Sequence, residues 1–420
     1  MADRITVIGW DGTPLTEAAA SALAGATLVA GAPYQLNALP VPAGAERIAL
    51  GSIAAAAHRL AEHRGTAVVV AEGDPGFFGV VRTLRRPEYG LELEVLPAVS
   101  SVATAFARAG MAWEDAQVVS AHGGRLRRAA NVCRAYSKVA VLTTADAGPA
   151  ELALMLRGVH RTFVVCEALG TPEEDVTVLT SDRVPDRDWR DPSVVLVIGG
   201  HVPSNVTEAA GWLAGRPVSF PAPERGWALP APAYAGAEPS PEAEGGARDD
   251  ERALPEHVRA LALARLGAVP GDLVWTVGGS SAALAVDAAR FGAAVVAVQA
   301  DPAVRAGIAA AARRHAVEVE VVPGEGPEAL GGLPEPDAVL VESGGAELVR
   351  AVVARRPDRL VALARNLAEA GELRRIAETA GYRVDGALLQ SAPLTPARAE
   401  HDRPSFGPAD HTLLLWGKAG

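Results

Sequence analysis

The sequence predicts an α/β protein of two successive units, the second an open doubly wound domain. Three observations carry that reading. Short apolar runs of strand length alternate with Ala-rich stretches of helical spacing along both halves. Hydrophobic residues make up 49% of the 420 positions and aromatics only 5%, so Ala, Val, Leu and Gly carry the apolar content, as suits parallel strands buried under helices. Between the halves the composition shifts. The stretch ALPAPAYAGAEPSPEAEGGARDDER is rich in Pro, Ala, Gly and Glu and cannot build a core. The expected boundaries are therefore 1–200, a linker over 201–253 with 211–214 and 218–220 packed on either neighbour, and 254–420.

In the first half, residues 4–9 are a short apolar run and 15–24 have helical spacing. AVVVA (67–71) reads as a buried strand ending in the turn-rich EGDPGFFG. Residues 91–96 alternate, and PAVSS (97–101) opens an Ala-rich helix. KVAVLT (138–143), RTFVVC (161–166) and SVVLVIG (193–199) supply three more strands. In the second half a helix over 257–266 leads through the Pro270-Gly271 turn to LVWTV (273–277). AAVVAV (293–298), VEVEVV (317–322), DAVLV (337–341), RLVAL (359–363), YRVDGALLQ (382–390) and HTLLLW (411–416) bring the strands to seven. Their spacing suits an open doubly wound sheet whose last strands form a hairpin.

The net charge of −11 argues against a nucleic-acid partner, which would need a basic face. Two cysteines, Cys133 and Cys166, cannot make a structural zinc site, and no metal ligand set stands out. No apolar run approaches the about 20 residues that span a bilayer, and MADRITVIGW lacks the layout of a signal peptide. A cytoplasmic location is the expectation.

The sharpest local signal is AEGDPGFFG (71–79) after a buried strand. A loop at a strand's carboxyl end is where open α/β sheets bind ligands. Gly73, Gly76 and Gly79 allow close backbone approach, Pro75 stiffens the turn and Asp74 accepts hydrogen bonds. The same composition also suits an ordinary βα turn. Ser100 and Ser101 of PAVSS either cap the next helix or offer hydroxyls to a ligand.

Taken jointly, these segments resemble the tetrapyrrole methylases of cobalamin synthesis: VIGWDGTPLT near the start, GDPGFF after the third strand, PAVSSV, and CEALGTPEED (166–175) in place of that family's E-x-x-G-T-x-E-E. Within the family the resemblance is to the branch methylating carbon 5 of the corrin precursor, whose W-x-D-A-x-V-V-S-x-H stretch is WEDAQVVSAH (113–122) here. It implies a two-lobed tetrapyrrole-methylase fold followed by a Rossmann-like methyltransferase domain, and S-adenosylmethionine as cofactor. The cofactor-binding residues it implies are Gly73, Asp74, Phe77, Ser100, Ser101, Thr144, Leu169 and Gly170. His122 is the candidate base by position, although a lone His is more often a structural hydrogen-bonder. Arg125, Arg127 and Arg128 either bind the carboxylates of a tetrapyrrole substrate or form a solvated helix face. The partners expected are that small molecule and further copies of the chain, with no membrane or nucleic acid.

The companion domain of that family methylates carbon 15 and decarboxylates an acetate arm, with a cofactor loop reading roughly D-x-G-x-G-x-G. Here TVGGSSAALAVD (276–287) places Thr276, Gly278, Ser280 and Ala282 at those positions. Gln299 stands where an acid usually meets the ribose, with Asp301 two residues late. Glu342 and Ser343 replace small apolar residues after the fourth strand. An impaired second cofactor site is expected, against the alternative that Asp301 and a shifted loop bind in another register. Two rival readings remain: recruitment to another small molecule, and a second domain serving as a non-catalytic dimerisation or substrate-presenting module.

Overall fold

The computed structural model describes residues 5–190, 193–199, 226–234, 254–279, 282–392, 394–395, 405–406 and 410–420. Most of the expected linker, including 211–214 and 218–220, lies outside the described residues, as do Ser280 and Ser281. The chain divides into two compact units: Met1–Leu126 with Lys138–Ile198, and Arg127–Ser137 with Gly199–Gly420. Among the described residues no helix is long and apolar enough to cross a membrane.

The first unit holds two five-stranded sheets. The first is wholly parallel: β1 (Ile5–Trp10), β2 (Leu28–Gly31), β3 (Glu46–Ala49), β4 (Ala67–Glu72) and β5 (Leu93–Leu96), in the order β3-β2-β4-β1-β5. Its helices are α1 (Glu17–Ala24), α2 (Pro33–Ala38), α3 (Ile53–Glu62) and α4 (Val80–Leu84). Strands β1 and β4 are buried through their apolar runs, with Val7 and Val69 in one core and Ile8 and Val70 in the other. Covering both faces leaves no polar alternation to read. Edge strand β3 (ERIA) is largely exposed and carries no apolar run, so GDPGFF follows the fourth strand and not the third.

The second sheet contains β6 (Gln117–Ser120), β7 (Lys138–Leu142), β8 (Thr162–Glu167), β9 (Asp175–Thr180) and β10 (Ser193–Ile198), in the order β6-β7-β10-β8-β9. Only β6 and β7 are parallel; β10 runs antiparallel to β7 and β8, and β8 to β9. Helix α5 (Ser101–Ala109) packs Val102, Ala105 and Phe106 onto this sheet, and α7 (Pro149–Met155) follows β7.

The second unit includes α6 (Leu126–Ala135), which belongs to it from Arg127 onward. Its sheet is β13-β12-β11-β14-β15-β19-β16. These strands are β11 (Leu273–Val277), β12 (Ala294–Gln299), β13 (Glu320–Pro323), β14 (Ala338–Val341), β15 (Arg359–Ala364), β16 (Tyr382–Ser391) and β19 (Asp410–Ala419). The first five are parallel, and β19 runs antiparallel to both neighbours. Between β16 and β19 lies a short ladder of β17 (Leu394–Thr395) and β18 (Ser405–Phe406). One face is covered by α8 (Glu256–Leu266), α9 (Ala283–Arg290) and α10 (Pro302–Arg314), the other by α11 (Gly345–Ala354) and α12 (Leu367–Thr379). The seven strands and their terminal hairpin stand as the apolar runs foretold. The run at 317–322 contributes a strand only from Glu320.

Candidate functional site

Strands β4, β1 and β5 are neighbours in a parallel sheet, so their carboxyl ends bring three loops side by side. These are the loops after Trp10, after Glu72 and after Leu96. A fourth, after β8, comes from the second sheet. The contacts are backbone to backbone. Gly73 has φ +59°, and a Cβ there would lie 2.9 Å from Ser101 N and 3.1 Å from Val99 O. Gly12 has φ +87°, and a Cβ would lie 1.7 Å from Gly170 O; one on Gly170 would lie 1.9 Å from Asp11 O. Only glycine permits either approach.

The four loops border a partly open cleft whose walls include Trp10, Asp11, Tyr34, Glu72, Ser101 and Thr171. Gly73, Val99, Thr104 and Leu169 complete much of the rest. The Trp10 and Tyr34 rings sit 6.1 Å apart, and the Trp10 indole donates to Thr13 O at 3.0 Å. Asp11 Oδ1 accepts from the Thr13 amide (3.1 Å) and hydroxyl (2.6 Å). Burial works to raise the Asp11 pKa, but hydrogen bonds from Thr13 and from the Val99 backbone outweigh it and hold the carboxyl below its usual range. The Tyr34 phenol is pushed up, by burial first and by the charge of Glu72.

Of the residues expected from sequence, Gly73, Ser101 and Leu169 line this cleft. Others shape the loops behind it. Asp74 Oδ1 accepts the Gly76 amide at 2.8 Å, closing the GDPG turn. Ser100 Oγ accepts the Ala103 amide at 3.1 Å, which makes it the N-cap of α5. Phe77 packs at the edge of the second-sheet core, its ring 4.8 Å from that of Phe78. Gly170 donates its amide to Glu174 Oε2 at 2.8 Å, and Glu174 in turn pairs with Arg108 of α5. The Arg108 guanidinium, followed by the Gly170 amide, holds the Glu174 carboxyl below its usual range.

The remaining expected residues are not part of the cleft wall. His122 Nε2 donates to the Thr143 carbonyl at 3.0 Å. Thr144 forms a bridge with Ala147, and its hydroxyl donates to Asp146 at 2.8 Å. In the second unit, Arg127 donates to Asp337 at 2.5 Å and to Glu335 O at 2.8 Å, and Arg128 lies 3.8 Å from Asp272. Arg125 is exposed. Sequence reading missed Trp10, Tyr34, Glu72, Thr104 and Thr171 as lining residues and gave no role to Asp11. Asp11 and Glu72 stand inside the quoted loops, but Tyr34 carries no signal of its own.

The loop after β11 in the second unit has a different character. A Cβ on Gly278 would lie 2.2 Å from Ser343 Oγ, and one on Gly279 would lie 2.3 Å from Glu342 Oε2. The glycines there admit the unit's own side chains. Gln299 Nε2 donates to Gly279 O at 2.8 Å while its Oε1 accepts the Asp301 amide at 3.1 Å. Asp301 Oδ1 caps α10 through the Ala303 amide at 2.8 Å. The Glu342 residue keeps some exposure, but its carboxyl group lies deep. Burial pushes that group up to about 8, with Arg259 pulling weakly the other way.

A parallel five-stranded sheet, a mixed five-stranded sheet and a glycine-built cleft between their loops make the first unit a two-sheet α/β fold with a candidate ligand site at its strands' carboxyl ends. Residues 11–185 match the family model described as Tetrapyrrole (Corrin/Porphyrin) Methylases, and residues 248–393 match that of the Precorrin methyltransferase domain. The chain is 35% identical over 300 residues to a precorrin-6Y C(5,15)-methyltransferase [decarboxylating] of Sinorhizobium sp, an alignment covering 68% of this chain and 64% of that protein. It is 34% identical to the cobalt-precorrin-7 C(5)-methyltransferase of Salmonella typhimurium, over 44% of this chain and 92% of that one. With the precorrin-6Y C(5,15)-methyltransferase of Mycobacterium tuberculosis it shares 30% identity, over 80% of this chain and 79% of that one. The chain belongs to the tetrapyrrole methylase family, in its two-domain precorrin-6Y C(5,15)-methyltransferase branch.

Proposed function

We propose that the protein is an S-adenosylmethionine-dependent C-methyltransferase acting on a precorrin in cobalamin biosynthesis, with its working cofactor site in the first unit. The observation that carries this is the convergence of four loops, apposed in two pairs through glycine, on a cleft bearing Asp11 and Glu72. The residues suit the group. Its ammonium and sulfonium charges match the two carboxylates, its flat base matches the Trp10 and Tyr34 rings, and backbone groups of the Gly73 and Val99–Ser101 loops meet its polar edges. When bound, S-adenosylmethionine supplies a methyl already activated by the sulfonium. What this chain adds is alignment of an electron-rich ring carbon with that methyl, by fixing loops that cannot relax.

The Gly278–Gly279 loop supports an impaired second site. Glu342 and Ser343 crowd it, and Gln299 is committed to Gly279 and Asp301. On this reading the second unit serves as a non-catalytic or substrate-presenting module. Arg125, with no ion pair among the described residues, is the guanidinium left for substrate carboxylates, since Arg127 pairs with Asp337 and Arg128 faces Asp272. His122, bonded to the Thr143 carbonyl, holds its loop and has no proton-transfer role in the proposal. The same reading has the enzyme acting in the cytoplasm as a homo-oligomer.

Calorimetric titration of the full chain with S-adenosylmethionine tests the site. The Gly73→Ala variant should bind at least about tenfold more weakly, because its Cβ has no room beside Ser101 N and its φ is costly for alanine. Equal affinity in the variant would remove the loop from the site.

A further inference from the structure

The second unit carries a basic groove apart from the loop that follows β11. Arg359, Lys418 and Arg383 are directly paired in register across β15, β19 and β16. Paired residues on neighbouring strands share a face, so these three side chains leave the sheet in a row, their strand positions about 5 Å apart. Arg265 of α8 adds a fourth, its guanidinium 4.3 Å from the centre of the Trp416 ring. With Asp385 these residues line an open groove of about 850 Å³. It lies at the amino ends of the parallel strands, opposite the loop that follows β11.

Three of the four charges are not balanced locally. Among the described residues, Arg265, Arg383 and Lys418 form no ion pair. Arg359 donates to Leu266 O and Gly267 O, which fixes its position at the end of α8, where its charge is felt by the Asp272 carboxyl. Asp385 is a single carboxylate, and its Oδ1 already accepts the Gly386 amide at 2.8 Å. Like charges placed directly across strands destabilise a sheet. A chain with a net charge of −11 has acids enough to interleave, yet the lining of this groove holds four cations and one acid.

We propose that this groove binds a small polyanion bearing at least two anionic groups about 5 Å apart, with Lys418 and Arg383 as its principal contacts. Arg265 is the outer plate: stacked on Trp416, it keeps an edge of N–H donors for a second anionic group. Arg359 holds the inner end of the row. Oligophosphates and compact polycarboxylates share the required chemistry, and the probes below separate them.

The test is titration of the full chain with tripolyphosphate and, separately, with benzenehexacarboxylate at low ionic strength. Saturable binding of at least one probe is expected, weakened tenfold or more by R383Q/K418Q and by added salt. Binding of tripolyphosphate alone assigns a phosphate ligand, of the carboxylate alone a carboxylate one, and each supports the proposal. Without any probe, the double variant should melt no lower than the parent, since it relieves a like-charge pair. Failure of both probes to bind, or undiminished binding in the double variant, would overturn the proposal. So would a lowered melting point, which would make the cations structural.

Discussion

Replacing Asp287 by Ala is expected to cost the second unit about 3–5 kcal/mol. Asp287 is 0% exposed and Arg259 only 1%, so both charges lie inside the unit. Asp287 Oδ2 accepts from the Tyr234 hydroxyl at 2.7 Å and from the Ala228 amide at 3.0 Å, and Oδ1 from Arg290 at 2.9 Å. Arg259 Nη1 stands 4.0 Å from Oδ2, while its other nitrogens donate to Leu254 O and Leu229 O. The carboxylate thus compensates a buried guanidinium and also docks the segment around 228–234 onto α9. Burial, and then Asp287 itself, pushes the Tyr234 phenol up to about 12, so the tyrosine stays a donor at any working pH. Alanine removes the acceptor and leaves Arg259 uncompensated. Denaturant unfolding should show the loss, with Asp287→Asn intermediate because it keeps an acceptor for Tyr234. A loss under about 1 kcal/mol would mean that water or another group neutralises Arg259.

The second large effect is expected at Gly12. Alanine there would put a Cβ 1.7 Å from Gly170 O, and the mirror contact from Gly170 to Asp11 O is 1.9 Å. Both partners are backbone, so no rotamer change relieves the collision, and φ of +87° adds strain of its own. The two loops must separate. Gly12→Ala should weaken S-adenosylmethionine binding at least about 30-fold, roughly 2 kcal/mol, while the far-ultraviolet dichroism stays near the parent's. Gly123 is the internal control. Its φ is +67°, yet a Cβ there meets nothing within 4 Å, so Gly123→Ala isolates conformational strain from collision. Parent-like affinity in Gly12→Ala would show that the two loops do not form the cofactor site.

How far the molecule was legible depended on burial. LVWTV and AVVVA are continuous apolar runs because both faces of their strands are covered, and they were readable as strands at once. QVVS is only partly covered and DVTVLT alternates between exposed and half-buried positions, and both mix polar residues with apolar ones, so neither declared itself. The glycine-bearing loops were legible as motifs, since close backbone approach leaves a mark in composition. Tyr34 and Thr104 were not, because only strand and helix placement brings them to the cleft. The arginines after His122 show a related limit. Charge pattern alone could not tell that Arg127 meets Asp337, more than 200 residues away in sequence. Glu342 was visible as an unusual acid after its strand, but not its turn toward Gly279.

Mass spectrometry of the product formed from a defined precorrin substrate and S-adenosylmethionine tests the central claim most directly. On the proposal that the first unit holds the cofactor, with Glu342 and Ser343 crowding the loop of the second, the full chain should add one methyl group, at carbon 5. It should release no carbon dioxide from the acetate arm. A product carrying two added methyls, with carbon dioxide lost, would contradict the account and make the Gly278–Gly279 loop a working cofactor site.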